Sequence, residues 1–184
     1  MRAESKAKKA ASMGLLMALA IALNFLENLI PALPAMPPGV KLGLSNIVVA
    51  YCLFYLGGRE ALFVAVLKSG FVLLTRGVVA GTASISGGLL SLAAMAVAMR
   101  LAGKGPSRYF AVSIPGAVLH NMGQLLAVSI MLKNTAVFYS LPVLFLAGVL
   151  MGCVTAALLR VVLPALRRVT PSKDPGLGQF SRKD

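Results

Sequence analysis

Six predominantly apolar runs follow one another along this chain, at 10–30, 41–57, 59–76, 84–102, 111–132 and 141–163, with short connections between them. Their length, close to the about 20 residues that carry a helix across a bilayer, constrains the fold more than any other feature. Backbone polar groups in lipid must be satisfied within the segment itself, and a helix does that. The expected architecture is an all-α integral membrane protein with six transmembrane helices. Composition points the same way: 58% of the residues are hydrophobic and 12% charged, whereas a soluble domain is about a quarter charged. Too few polar side chains remain to coat a water-facing surface. A soluble globular enzyme and a disordered chain are both excluded.

The formal net charge of +13 would suit a nucleic-acid binder, but the basic residues sit in alternate connections. Arg2, Lys6, Lys8 and Lys9 precede the first run; Arg59, then Arg100, Lys104 and Arg108, then Arg160, Arg167, Arg168, Lys173, Arg182 and Lys183 mark every second boundary. These 14 oppose Lys41, Arg76 and Lys133 near the other ends, with Lys68 inside a run. The positive-inside rule then places both termini and the 102–110 loop in the cytoplasm, and 31–40, 77–83 and 133–140 outside. The expected organisation is a basic cytoplasmic N-terminus (1–9), a six-helix membrane domain (10–163) and a basic, disordered cytoplasmic tail (164–184). The opening imitates a signal peptide, yet Met13 to Ile30 is span-length and carries Asn24, Glu27 and Asn28, which suits a retained helix.

The connections have distinct characters. Pro31 to Gly39 holds four prolines in nine residues and reads as an extended outer crossing. Gly57-Gly58 reads as a tight hairpin, and Gly81 to Gly88 as an outer loop leading into the fourth helix. Cys52 and Cys153 lie in apolar runs and imply no disulfide framework.

The inventory of reactive groups argues against catalysis. Glu4, Glu27, Glu60, Asp174 and Asp184 are scattered, so no aspartate cluster holds Mg²⁺ against a diphosphate and no carboxylate pair exists for hydrolysis. There is no phosphate-binding G-x-x-x-x-G-K-[ST] loop. One histidine and two separated cysteines make no zinc site. The chain reads as non-catalytic, with no cofactor and no metal.

What remains is a set of polar residues inside runs, each costly in lipid unless partnered. Gly116, His120 and Gln124 share a stripe at i, i+4, i+8, with Asn121 beside it. Two roles stay open for this tract: hydrogen-bonding glue between helices, or contact with a ligand. Lys41 and Ser45 lie one turn apart at the start of the second helix, with Asn46 adjacent and deeper; for Lys41, near the outer interface, snorkelling to the head groups is the open alternative to ligand contact. Lys68, mid-run, is too deep to snorkel, and an unpaired lysine there costs ~2.5–3.5 kcal/mol, so it should face a partner or a wet cavity. Arg76 lies two turns further out, and Glu27, the one acid near the outer half, is placed to pair with Lys41 or Lys68. The candidate ligand-binding set is Lys41, Ser45, Asn46, Lys68, His120, Asn121, Gln124 and Glu27, and its excess of positive charge calls for an anionic group on the ligand.

Small residues mark a second surface. Ala10, Gly14, Ala18 and Ala22 repeat every four residues down the first helix, a flat ridge that admits a close helix partner. Ala94, Ala98 and Ala102, and Gly148, Gly152 and Ala156, do the same in the fourth and sixth helices, where internal packing is the simpler expectation.

The proline loop with Gly39-Val-Lys-Leu-Gly-Leu-Ser-Asn-Ile-Val48, together with Gly116-Ala-Val-Leu-His-Asn-Met-Gly-Gln-Leu125, resembles the bacterial membrane family known as heptaprenyl diphosphate synthase component I, or Gx transporter family, over roughly residues 10–163. That family is in turn similar to the substrate-binding S components of energy-coupling factor (ECF) transporters, six-helix proteins whose first helix docks through an A-x-x-x-A ridge. Ala18-Leu-Ala-Ile-Ala22 carries that pattern. The resemblance implies an S-component-like bundle in the bacterial inner membrane, importing a small nutrient or precursor. Its implied partners are a transmembrane coupling subunit and cytoplasmic ATPases. The synthase label implies the alternative, a non-catalytic membrane subunit of heptaprenyl diphosphate or isoprenoid-quinone biosynthesis.

Overall fold

The computed structural model describes residues 2–29, 41, 43–103, 105 and 107–166, and they are all-helical apart from turns. The helices are α1 (Arg2–Leu29), α2 (Asn46–Tyr55), α3 (Gly58–Arg76), α4 (Val78–Leu101), α5 (Arg108–Leu132) and α6 (Leu141–Leu166), with a 3₁₀ turn at Thr135–Ser140. The expected proline crossing at 31–40 and the tail beyond 166 lie outside the described residues.

Four of the helices, α1, α4, α5 and α6, are long and apolar enough to cross a membrane. Their outward faces carry Leu15, Phe25, Val97, Leu126, Leu146 and Leu150, large apolar side chains that water would not tolerate in such number. The 19-residue α3 has the length but carries Arg59, Glu60, Lys68 and Arg76. The 10-residue α2 spans only about 15 Å at 1.5 Å per residue, half the hydrocarbon core. It is apolar all round and, from Val48 to Tyr55, buried all round, which marks a helix enclosed by its neighbours. Cys52 is part of that core.

The second helix was expected over 41–57 and begins instead at Asn46. Gly43 adopts φ +89, in the left-handed region that a helix cannot contain. The backbone N–H groups of Lys41 and Gly43 are taken by side chains of other helices. Two tight bonds, Asn46 N to Gly43 O (2.9 Å) and Ile47 N to Leu44 O (3.1 Å), then start the helix.

The expected outer loop at 81–88 is also corrected. After Gly77 the chain re-enters helix at once, and α4 runs unbroken through these residues. Their glycines and serines serve packing rather than turning. A Cβ on Gly123 of α5 would come within 2.8 Å of the Gly87 Cα, and Ser84 Oγ bonds Ser69 Oγ of α3 at 3.0 Å. The Gly57 hairpin appears as expected, joining α2 to α3.

The small-residue ridges divide in the same physical terms. On α6, Gly148, Gly152 and Ala156 are buried, and a Cβ on Gly148 would meet the Val118 backbone of α5 at 2.9 Å. Ala98 of α4 and Ala102, the residue that caps it, pack on the core. On α1 the pattern reverses. Leu16, Ala20, Asn24 and Glu27 form its buried stripe, whereas Ala10, Gly14, Ala18 and Ala22 are all exposed.

Candidate functional site

Helix periodicity brings three polar stripes together. Asn24 and Glu27 sit one turn apart at the inner face of α1; Lys68, Val72 and Arg76 follow one another at four-residue spacing on α3; His120 and Gln124 do so on α5. Together with Lys41, Gly43 and Ser45, just ahead of α2, they line one small cavity, which Ala80 and Ser84 of α4 complete. Its volume is about 20 Å³, room for about one water.

The residues ahead of α2 fill the space between these stripes. Lys41 uses its own backbone N–H and C=O on the Gln124 side chain: N to Oε1 at 2.8 Å, and Nε2 to the Lys41 carbonyl at 3.1 Å. Its Nζ turns to α1, donating to the Asn24 carbonyl at 3.2 Å and to Asn24 Oδ1 at 3.4 Å. Gly43 donates its N–H to Glu27 Oε1 at 2.5 Å. Lys68, only 2% exposed, donates from Nζ to Ser45 Oγ at 3.1 Å. His120 lies directly under Gly43, where a Cβ would stand 2.9 Å from its Cδ2. The imidazole is buried and its Nδ1 has no hydrogen-bond partner among the described residues.

Of the eight residues proposed from sequence for ligand binding, six line this cavity: Lys41, Ser45, Lys68, His120, Gln124 and Glu27. Asn46 and Asn121 are placed elsewhere. Asn46 Nδ2 donates to Ser91 Oγ at 2.6 Å, joining α2 to α4. Asn121 Nδ2 donates to the Leu144 carbonyl at 2.8 Å, joining α5 to α6. Both amide oxygens, Oδ1, lack a partner among the described residues. The cavity also takes in residues that the sequence-derived set omitted, Asn24, Gly43, Val72, Ala80, Ser84 and Arg76. Arg76 reads from sequence as an alternative counter-charge to Lys68, and Asn24 as the neighbour of Glu27 one turn back; helical spacing from Lys68 could have found Val72, and Ser84 was hidden by reading its glycine-rich surroundings as a loop.

The lining carries the cations Lys41, Lys68 and Arg76 and one acid, Glu27. Such a site can hold an anion and donate hydrogen bonds to it. It lacks the paired carboxylates that diphosphate chemistry through Mg²⁺ requires, and no group of three His, Cys, Asp or Glu residues comes together among the described residues.

The exposed α1 ridge adjoins a second, open groove of about 260 Å³ lined by Met13, Arg59, Glu60 and Phe63. A Cβ on Gly14 would meet nothing within 4 Å. The ridge therefore has no occupant within the described chain.

No curated protein and no solved structure matches this chain. A family model does, over residues 16–162, which include α2 to α5 entire and every described residue of the cavity. The chain thus belongs to the family described as heptaprenyl diphosphate synthase component I.

Proposed function

We propose that this protein is the solute-binding membrane subunit of an ECF-type importer, an S-component-like bundle taking up a small anionic nutrient or precursor. The observation that carries the reading is the polar cavity within an apolar bundle, with three cations facing one acid. Stability alone does not ask for this: a lysine at mid-depth costs ~2.5–3.5 kcal/mol, and leucine would serve packing better. Polar groups converging from separate helices on a recess are the ordinary make-up of a ligand site.

In this reading the subunit lies in the bacterial inner membrane with both termini in the cytoplasm. The exposed ridge of Ala10, Gly14, Ala18 and Ala22 docks a transmembrane coupling subunit, and separate cytoplasmic ATPases supply the energy. The bare ridge supports this: the equivalent small-residue stripe on α6 is covered by α5, and a stripe left uncovered on a long apolar helix offers a close helix partner a place. No residue of the chain is assigned a catalytic role.

The family description favours a second reading, a non-catalytic membrane subunit of heptaprenyl diphosphate or isoprenoid-quinone biosynthesis. Native mass spectrometry of the protein released from its membrane separates the two. The importer reading expects a small polar anion bound one to one, and a coupling subunit in the larger complex. A soluble prenyltransferase as the co-purifying partner, with no small molecule retained, would overturn it.

A further inference from the structure

We propose that the cavity lined by Glu27, Ser45, Lys68 and Arg76 is, in the form described, the seat of one monatomic anion, a halide such as chloride. The inference goes beyond the solute-binding reading and stands under either reading of the function, because it uses only the charge, the hydrogen-bond inventory and the size of the cavity.

Three cations, Lys41, Lys68 and Arg76, line the cavity, with Glu27 as the one acid among its described lining residues. Glu27 offsets one of these cations, and two remain in excess. Lys68 is the demanding one. It is 2% exposed at the centre of α3, and its hydrogen bond among the described residues goes to a neutral hydroxyl, Ser45 Oγ at 3.1 Å. A buried ammonium without a counter-charge is costly. Arg76 ends α3 and is exposed, so the cationic lining reaches the surface, where an ion arrives. Val72 and Ala80 add buried apolar wall, which keeps the local dielectric low and strengthens the attraction for an anion.

The hydrogen-bond inventory asks for an acceptor. Gln124 Oε1 already receives the Lys41 N–H, Asn24 Oδ1 the Lys41 ammonium and Glu27 Oε1 the Gly43 N–H. Donors are in surplus. Lys68 gives one of its three protons to Ser45, and the Ser45 hydroxyl, accepting that bond, keeps its own proton to give. A halide accepts without donating and brings the missing charge, whereas a water brings two more protons and no charge. Size narrows the class further. The free volume is about 20 Å³, room for one water-sized guest, and a carboxylate or phosphate does not fit without displacing a wall.

The test uses the full chain in a neutral detergent, with chloride replacing gluconate at constant ionic strength. The expected result is an unfolding midpoint that climbs by about 3–5 °C for each tenfold rise in chloride above Kd, and a broadened chloride NMR line that narrows when bromide competes. Bromide should stabilise as chloride does; sulfate and pyrophosphate, too large for the cavity, should not. Lys68→Met should abolish both signals. Arg76→Gln, at an exposed position where folding is not at stake, should raise Kd about tenfold, the scale of one hydrogen bond to a charged group. Arg160→Gln, exposed on α6 and outside the cavity lining, should change neither signal. Midpoint and linewidth that ignore chloride in folded wild-type protein overturn the proposal. Equal stabilisation by sulfate or pyrophosphate overturns the monatomic class, and a chloride response unchanged in both Lys68→Met and Arg76→Gln overturns its placement in this cavity. No solute and no coupling subunit enters the assay, so its failure leaves the importer reading to its own mass-spectrometric test, and failure of that test leaves the halide result intact.

Discussion

Replacing Lys68 by methionine separates a functional lysine from a structural one. Lys68 is 2% exposed at the centre of α3, and its Nζ donates to Ser45 Oγ at 3.1 Å. Methionine keeps the volume and removes the ammonium. Relieving a mid-depth lysine returns ~2.5–3.5 kcal/mol, while the lost charged hydrogen bond and the orphaned Ser45 hydroxyl take back about 1–3 kcal/mol. The expected balance lies between a loss of about 0.5 and a gain of about 2.5 kcal/mol in stability, with the co-purifying small molecule lost. Unfolding in mixed detergent micelles measures the first quantity, and native mass spectrometry of the same preparation the second. A large loss would refute the reasoning. If Lys68→Met destabilises by ~3–5 kcal/mol, the scale of breaking a buried ion pair, the lysine exists to neutralise Glu27 and the cavity is a by-product.

Ala18→Leu or Ala22→Leu should leave folding and the bound small molecule unchanged, because both positions are exposed, while abolishing co-purification of a coupling subunit and uptake in cells; undiminished uptake in both variants refutes docking on this ridge. Asn121→Leu deletes a bond between α5 and α6 outside the cavity, so it should cost ~0.5–1.5 kcal/mol of stability with ligand retention intact, and lost retention in a normally folded variant would return Asn121 to the binding set. Single cysteines at Ala35 and at Ser107, in a background lacking Cys52 and Cys153, should label from opposite sides of the membrane, since 14 basic residues face 3 across the expected topology. Labelling of both from one side would sink that orientation.

The helical class and most helix positions were legible because hydropathy over a span is a sum of many residues, which no single contact can reverse. Boundaries failed where one contact could. Nothing in Lys41 to Ser45 announces that Glu27 and Gln124 will take backbone N–H groups and hold the helix off until Asn46. Glycines in α4 looked like a turn, because a glycine that admits a neighbouring backbone and one that bends its own are the same letter. The exposed α1 ridge and the buried α6 ridge are likewise the same pattern in sequence; only the packing of α5 on α6 separates them.

The site was legible to the extent that burial of a polar residue is expensive. Lys68, His120 and Gln124 sit in apolar runs, and that cost alone placed them on a shared interior. It could not distinguish a group facing a cavity from one facing a helix, because both relieve the same penalty. Asn121 and His120 are neighbours in sequence and point to different partners, one to α6 and one to Gly43. What divides them is the helical turn of about 100° per residue, which aims adjacent side chains at different walls. A polar tract therefore supplies both the fastening of its own helix and the lining of the recess. The i, i+4 partners His120 and Gln124 take the recess, and Asn121, one residue off the stripe, takes the fastening.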